Sequence, residues 1–338
     1  GKLEAQPDFH SAKAALKKSL ADVSQALEIS AQAGEQLENC FQRVQVLSGR
    51  LLQLDGDDSD ESIRWYETSK TGFRMHITPL DIAEKFTQLV CDQERALIFT
   101  SATLAVSGDF SHYKQQLGLE DAGTDLWAGP FNYPQQALFY LPENLPEPGD
   151  PGHTASVVEL AEKIINISRG RAFLLFTSFR ALNEAVSILR DRIDFPLLAQ
   201  GEAPRHELLT RFRQLGNAVL LGTGSFWEGV DVKGDALSVV IIDKLPFAAP
   251  DDPVLQARGK ALRSKGLNPF MSLQVPEAVV ALRQGAGRLI RSVDDRGVFI
   301  LCDTRLVSKS YGRIFTRSLP PMKRTRDFDE VKSFLESD

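Results

Sequence analysis

The chain has 338 residues, with 39 Lys or Arg, 45 Asp or Glu and a net charge of −6. Its 43% hydrophobic and 25% charged residues are ordinary for a globular protein and exclude a disordered chain, a collagen and a small disulfide scaffold. No apolar stretch approaches the roughly 20 residues that a membrane-spanning helix needs, so we expect a cytoplasmic protein without membrane contacts. The three cysteines, Cys40, Cys91 and Cys302, have no metal-ligand spacing, and we predict no metal site.

The sequence predicts helical structure over residues 8–53. Between residues 8 and 53, apolar side chains recur at steps of three and four, which places them on one helical face. A single helix of that length would extend roughly 65 Å, longer than a compact domain. We therefore favour a helical hairpin hinged near Gly34 over one continuous helix.

From about residue 64, apolar runs alternate with amphipathic helical patterns. The runs predict strands buried on both faces, because they are continuous rather than alternating. Strand–helix alternation predicts an α/β fold with a parallel sheet and right-handed crossovers. The predicted strands are 96–100, 137–141, 172–176, 218–221, 237–242 and 298–301, and the predicted helices are 156–168, 179–190, 205–215, 253–264 and 276–290.

Several catalytic signatures are missing from the sequence. The phosphate-binding pattern GxxxxGK[ST] is absent, since Lys260 is followed by Ala261. The Gly-x-Gly pairs at 222–224 and 285–287 lack the third glycine of a dinucleotide-binding fold. There is also no HExxH and no GxSxG. These absences argue against hydride transfer, zinc proteolysis and α/β-hydrolase chemistry.

Candidate site residues follow the predicted strands, because parallel α/β sheets bind ligands where loops leave their carboxyl ends. Ser101 and Thr103 follow one strand, and Thr177 and Ser178 follow another. Each pair fits either a ligand contact or an ordinary helix N-cap.

The loop at 222–231 combines glycines with an aromatic residue and two acids. Glu228 and Asp231 fit a ribose hydroxyl or the orientation of a cation, whereas Trp227 fits equally well as a core residue in a Gly-rich turn.

Two arginines, Arg288 and Arg291, stand three residues apart at the end of the predicted helix 276–290, and this spacing predicts that they share one helical face. Such a pair suits a triphosphate, whose transition-state charge an arginine stabilises. The alternative is a pair of surface arginines in ion pairs.

Taken in this order, the segments resemble the later motifs of a superfamily 2 helicase. The wording of 225–231, Ser-Phe-Trp-Glu-Gly-Val-Asp, with Lys-Leu-Pro-Phe at 244–247, is similar to the XPD/DinG group and in particular to its bacterial DinG/YoaA branch. The resemblance covers about residues 64–327. Its motifs are Ser101-Ala102-Thr103 (motif III), Thr177-Ser178 (motif IV), 224–231 (motif V) and 284–291 (motif VI).

The resemblance implies three parts. Residues 1–74 would be the end of a helical arch insertion, residues 75–135 the tail of a first RecA-like lobe, and residues 136–338 a second RecA-like lobe. Motifs I and II and the four-cysteine segment of this branch are absent from the sequence. We therefore expect a C-terminal fragment of a protein that uses ATP and Mg²⁺ and carries an iron–sulfur cluster elsewhere.

The resemblance also implies roles for individual residues in binding the nucleotide and DNA. Arg288 and Arg291 would be arginine fingers, with Gln284 beside the same nucleotide. Three further sets follow: nucleotide contacts at Glu228, Gly229, Asp231, Gly285 and Gly287; coupling of hydrolysis to movement at Ser101 and Thr103; and DNA contacts at Thr177, Ser178, Arg180, Ser225, Phe226 and Trp227.

The function implied is that of an ATP-dependent DNA helicase that moves 5′→3′ on single-stranded DNA in repair or replication, with an accessory subunit of the replicative polymerase as a partner. We expect this chain alone to be inactive, because it lacks the phosphate-binding lysine and the Mg²⁺-holding acid. The alternative is a non-enzymatic RecA-like module that binds single-stranded DNA or a protein partner.

Overall fold

The computed structural model describes residues 7–31, 34–54, 61–69, 71–91, 96–227 and 236–337. The chain divides into two compact units, residues 1–89 with 249–269 and residues 90–248 with 270–338. No helix within the described ranges is long and apolar enough to span a membrane.

The helices, in chain order, are α1 (Pro7–Ser30), α2 (Glu35–Gln53), α3 (Ala83–Cys91), α4 (Ser111–Leu117), α5 (Tyr133–Gln136), α6 (His153–Ser168), α7 (Phe179–Leu189), α8 (Arg205–Leu215), α9 (Pro253–Ser264), α10 (Val275–Ala286), α11 (Arg305–Ser308), α12 (Gly312–Ser318) and α13 (Phe328–Glu336). The strands are β1 (Ser62–Thr68), β2 (Phe73–Pro79), β3 (Ala137–Tyr140), β4 (Ala172–Leu175), β5 (Leu197–Ala199), β6 (Val219–Gly222), β7 (Val239–Ile242), β8 (Gly297–Leu301) and β9 (Lys323–Thr325).

In the first unit, helices α1 and α2 form the predicted hairpin. They contact each other, and Gln45 Nε2 donates a hydrogen bond to Ser24 Oγ at 2.9 Å. Gly34 immediately precedes α2, so the second helix begins at the predicted hinge. An antiparallel hairpin, β1 with β2, follows and was not predicted. Helix α9 packs against β1, which brings residues 249–269 into this unit.

The second unit is built on a seven-stranded sheet in the order β5-β6-β4-β7-β8-β3-β9. Every strand pair in it is parallel, which confirms the predicted α/β fold with a parallel sheet flanked by helices. Five of the six predicted strands are present. The two edge strands, β5 and β9, have three residues each and are too short to give a sequence pattern.

Alternate side chains of the central strands enter two hydrophobic cores, one on each face. In β4, Phe173 and Leu175 lie in one core, and Ala172 and Leu174 lie in the other. Helices α8, α10 and α12 cover the first core, whereas α6, α7 and α13 cover the second. Burial on both faces explains why these strands read as continuous apolar runs.

The predicted strand at 96–100 is absent, and this prediction was wrong for the described chain. The segment has no regular secondary structure, and Leu97 and Ile98 are 49% and 84% exposed. A strand needs hydrogen-bonding neighbours, and no described strand pairs with this segment.

Candidate functional site

The carboxyl ends of the seven parallel strands lie at one edge of the sheet, and polar residues follow them there. Thr177 comes after β4, Gln200 after β5, Thr223 after β6, Asp243 after β7 and Asp303 after β8. Gln200 Oε1 accepts hydrogen bonds from Thr223 N at 2.6 Å and from Thr223 Oγ1 at 3.1 Å. This edge of the sheet is therefore a polar surface built over two apolar cores.

Asp243 joins the ends of the two central strands, β4 and β7. Its Oδ1 accepts hydrogen bonds from Thr177 N at 3.0 Å and Lys244 N at 2.8 Å, and its Oδ2 accepts one from Thr177 Oγ1 at 3.3 Å. The side chain is buried, and burial raises the pKa of Asp243 to about 7 against the opposing effect of the Lys244 charge and these hydrogen bonds.

Asp303 organises the adjacent loop in the same way. Its carboxylate accepts a hydrogen bond from Leu245 N at 2.7 Å and forms an ion pair with Arg305 at 2.7 Å. Sequence reasoning missed both aspartates. Their position directly after apolar strands was the signal that could have identified them.

The segment after β4 presents several side chains at the same edge. Ser178 is the N-cap of α7, since its Oγ accepts a hydrogen bond from Ala181 N at 3.2 Å, as the capping alternative predicts. Thr177 and Ser178 are partly buried, and Arg180 is exposed. Phe179, which the sequence analysis did not select, is 58% exposed.

The two aromatic residues predicted to contact DNA lie in the core. Phe226 and Trp227 are only 1% and 4% exposed, so neither ring has a free face. A Cβ on Gly285 would lie 2.9 Å from Ile242 Cδ1 and 3.1 Å from Trp227 Cε3. Gly285 therefore lets α10 pack against Trp227, and the arrangement favours the alternative of a core residue for Trp227.

The remaining residues of this loop are only partly within the described chain. Ser225 lies in a short 3₁₀ turn, Gly224–Phe226. Glu228, Gly229 and Asp231, predicted to contact the nucleotide, lie outside the described residues.

Helix α10 ends at Ala286 rather than at 290, so Arg288 and Arg291 follow the helix. The prediction that these two arginines share a helical face was therefore wrong. After Gly287 N bonds to Arg283 O, Arg288 N and Leu289 N bond three residues back, to Gly285 O and Ala286 O, in tight turns. Gln284 stays in the last helical turn and is partly buried, and Gly287 is exposed beyond it.

Arg288 reaches back to the loop that follows β6. Its Nε donates a hydrogen bond to Trp227 O at 3.0 Å, and its Nη2 donates to the same carbonyl. The Arg291 backbone is fixed separately, because Arg291 N donates to Asp295 Oδ2 at 2.6 Å. Motifs V and VI of the resemblance thus meet at one point, between Trp227 and Arg288.

Arg283, on α10, connects the Ser101 segment to the same helix. Its Nη1 donates to Ala105 O and its Nη2 to Ala102 O. Burial lowers the pKa of this guanidinium. Ser101 is exposed, and its Oγ lies 3.2 Å from Thr103 Oγ1. Sequence reasoning selected the neighbouring Gln284 but missed Arg283.

The described side chains offer no metal site. No group of three or more His, Cys, Asp or Glu residues within the described ranges is placed to hold an ion. Three cysteines in the whole sequence are too few for a four-thiolate cluster, and Cys302 is buried in the core. These residues therefore do not fit an iron–sulfur cluster.

Comparison with known proteins agrees with this geometry. The family profile of the helicase C-terminal domain matches residues 161–322. The chain is 43% identical over 315 residues to the ATP-dependent DNA helicase YoaA of Haemophilus influenzae, covering 93% of this chain and 49% of that protein. It is 36% identical over 292 residues to the ATP-dependent helicase DinG of Mycobacterium tuberculosis, covering 84% and 42%. The chain thus spans about half the length of these curated relatives or less.

A solved structure also shares the fold. The structure described as XPD_APO matches with a TM-score of 0.58 and 18% identity, covering 86% of this chain and 59% of that one. The profile match and the relatives show that the chain belongs to the XPD/DinG-like superfamily 2 helicases and corresponds to their C-terminal portion.

Proposed function

We propose that the chain supplies the second RecA-like lobe of an ATP-dependent DNA helicase, with the lobe at residues 136–338, the tail of the first lobe at 75–135 and the end of an arch insertion at 1–74. The observation that carries the proposal is the contact of Arg288 with Trp227 O at the carboxyl edge of the parallel sheet. It links the arginine that would reach a triphosphate to the loop that would line the nucleotide cleft.

In this proposal, ATP and Mg²⁺ are held mainly by a first lobe outside this chain, together with the iron–sulfur cluster. Arg288 and Arg291 approach the triphosphate from the second lobe, with Gln284 beside them, and Glu228, Gly229, Asp231, Gly285 and Gly287 at the cleft. Two relatives that are 43% and 44% identical to the chain are named ATP-dependent DNA helicases, which supports the assignment.

Single-stranded DNA would cross the carboxyl edge at Thr177, Ser178 and Arg180. Phe179 is exposed beside them and supplies the base-stacking ring in place of the buried Phe226 and Trp227. Ser101 and Thr103 would transmit the nucleotide state through the Arg283 contact. Movement 5′→3′, action in repair or replication, and a polymerase accessory subunit as partner complete the proposal.

The test compares ATP hydrolysis by the full-length protein with that of Arg288→Ala, in the presence of single-stranded DNA. Loss of an arginine finger should lower kcat roughly 10³-fold or more. The matched control is Arg192→Ala, which should leave kcat unchanged, because the Arg192 side chain forms an exposed ion pair with Glu162, 3.5 Å away.

The isolated chain should hydrolyse no ATP. Turnover by the isolated chain that survives Arg288→Ala would contradict the proposal. A full-length protein that binds DNA but never hydrolyses ATP would favour the non-enzymatic module instead.

A further inference from the structure

On its buried side, the Thr177 hydroxyl faces the carboxyl of Asp243. Oδ1 of Asp243 already accepts two backbone hydrogen bonds, from Thr177 N and Lys244 N. Oδ2 faces the Thr177 hydroxyl, with Oγ1 at 3.3 Å. A proton on this carboxyl therefore belongs on Oδ2, where it points at Thr177 Oγ1.

The direction of this one hydrogen bond decides what Thr177 offers to the surface, because a hydroxyl has a single proton. When Asp243 is ionised, the hydroxyl donates inward and presents only lone pairs outward. When Oδ2 carries a proton, the hydroxyl accepts inward and its own proton is available outward. Phosphate oxygens only accept hydrogen bonds, so only the second state favours a phosphate.

The surroundings of Asp243 keep both states accessible. Burial raises the pKa of Asp243 to about 7, and the charge of Lys244 opposes the rise. From α6, the ring of His153 lies against the same residue, with Nε2 3.1 Å from the Asp243 carbonyl oxygen. His153 therefore contacts the backbone of Asp243 and leaves the carboxyl to Thr177.

The groups at the end of β8 add one charged pair and one neutral thiol. Asp303 is paired with Arg305 at 2.7 Å, so its charge is compensated locally. Burial and the charges of Asp243 and Asp303 raise the pKa of Cys302, so this thiol stays uncharged at neutral pH. The pKa of about 7 means that the Asp243 carboxyl changes charge near neutral pH.

We propose that Asp243 is a positioning residue: it sets the direction of the Thr177 hydroxyl, which donates to a phosphate of single-stranded DNA only when Asp243 Oδ2 carries a proton. This inference rests on the proposed function in one respect, the path of DNA across Thr177. It predicts that protonation of Asp243 strengthens DNA binding.

Three substitutions separate the two states. Asp243→Asn fixes the proton-donating arrangement, because only its carbonyl oxygen can accept the two backbone N–H groups and its amide must then donate to Thr177 Oγ1. Thr177→Val removes the hydroxyl and keeps the shape of the side chain. Thr177→Ser keeps the hydroxyl and is the matched control for changes at this position.

The measurement is the affinity of the full-length protein for a fluorescent 20-nucleotide oligo-dT, by anisotropy, at constant ionic strength from about pH 6 to pH 8. Wild type and Thr177→Ser should lose roughly three- to tenfold in affinity as the pH rises, the range of one modest hydrogen bond. Asp243→Asn should keep the wild-type affinity of pH 6 throughout. Thr177→Val should bind weakly at every pH.

If the DNA affinity of Asp243→Asn or of Thr177→Val depends on pH as steeply as that of wild type, this inference is overturned and the proposed function is left intact. If wild type binds no single-stranded DNA at any pH, the DNA path itself is wrong, and this inference falls with it.

Discussion

Arg283 stands next to Gln284 on α10, and its side chain reaches the turn that contains Ser101 and Thr103. Its two Nη atoms donate to the carbonyls of Ala102 and Ala105, which suits a planar guanidinium with several fixed donors. The segment is held again further along, where Ser107 N donates to Ser318 Oγ at 2.9 Å. Arg283 is therefore the side chain through which α10 holds the Ala102–Ala105 turn.

Replacing Arg283 with lysine should loosen this turn, because a single ammonium group does not match both carbonyls. Loss of one charge-assisted hydrogen bond, about 1.5–3 kcal/mol, should speed amide exchange at residues 102–109 by at least about tenfold. Hydrogen-exchange mass spectrometry measures this directly. Arg192→Lys is the control and should change nothing there; equal exchange in both variants would contradict the role given to Arg283.

The buried carboxyl of Asp243 should also make folding stability depend on pH. Its folded pKa of about 7 lies above the ordinary value of 3.8, so the folded state binds the proton more tightly. The stability from this group is complete below the ordinary pKa and is lost as the pH rises through 7.

Asp243→Asn removes this linkage. The free energy of unfolding of the variant, relative to wild type, should therefore rise between pH 4 and pH 8, by at most about 4 kcal/mol. Urea denaturation at the two pH values measures the difference. A difference that stays constant with pH would show that Asp243 keeps an ordinary pKa.

The central strands were predictable because each of them carries a recognisable pattern in its own sequence. Strands β4, β6, β7 and β8 are buried on both faces, so their sequences are apolar throughout. Strand formation at 96–100 depends on neighbouring strands. The apolar sequence of the segment does not show whether such neighbours exist. The β1–β2 hairpin was missed for a related reason, since it is largely half-exposed and its side chains are mixed in polarity.

The candidate site was predictable in position but not in side-chain direction. Thr177, Ser178 and Arg288 lie at the carboxyl edge because strand order fixes where the loops emerge. Whether an aromatic residue points inward depends on packing with distant parts of the chain. Phe226 is buried and Phe179 is exposed, and the sequence around each residue does not predict this difference.

At the scale of α10, the space at Gly285 should limit substitution. A methyl group there would meet Ile242 and the Trp227 ring at 2.9 and 3.1 Å, so Gly285→Ala should destabilise the protein by about 1–3 kcal/mol. Gly259→Ala in α9 is the matched control. Its new Cβ would lie 3.6 Å from Pro269 Cβ, so it should stabilise by about 0.5–1 kcal/mol through helix propensity.

Urea denaturation followed by far-UV circular dichroism measures both glycine variants. The opposite signs are the diagnostic result. If Gly285→Ala were as stable as wild type, the close approach of α10 to Trp227 would be wrong.

On the scale of the whole molecule, the second unit leaves several large apolar side chains uncovered. Ile98 is 84% exposed, and Leu126 and Trp127 are 62% and 77% exposed. An unpaired apolar segment of this kind promotes association between molecules. Within the proposal, these residues would be covered by the rest of a first lobe.

The isolated chain should therefore self-associate and bind the dye ANS, and Ile98→Asp should reduce both. The full-length protein should bind less ANS per molecule. Size-exclusion chromatography with light scattering follows the association, and Leu215→Asp, at another exposed apolar residue (43% exposed), is the control. Equal behaviour of the two variants would show that the segment at 96–100 is not the associating surface.

The packing of α9 against β1 has a consequence for synthesis on the ribosome. The first unit needs residues 249–269, yet residues 90–248 are made before them. At 5–20 residues per second, about 10–40 s separate the emergence of β1 from that of α9. The β1–β2 hairpin lacks its helix during that interval, so co-translational folding of this unit cannot finish before strands β4, β6 and β7 of the other unit have left the exit tunnel.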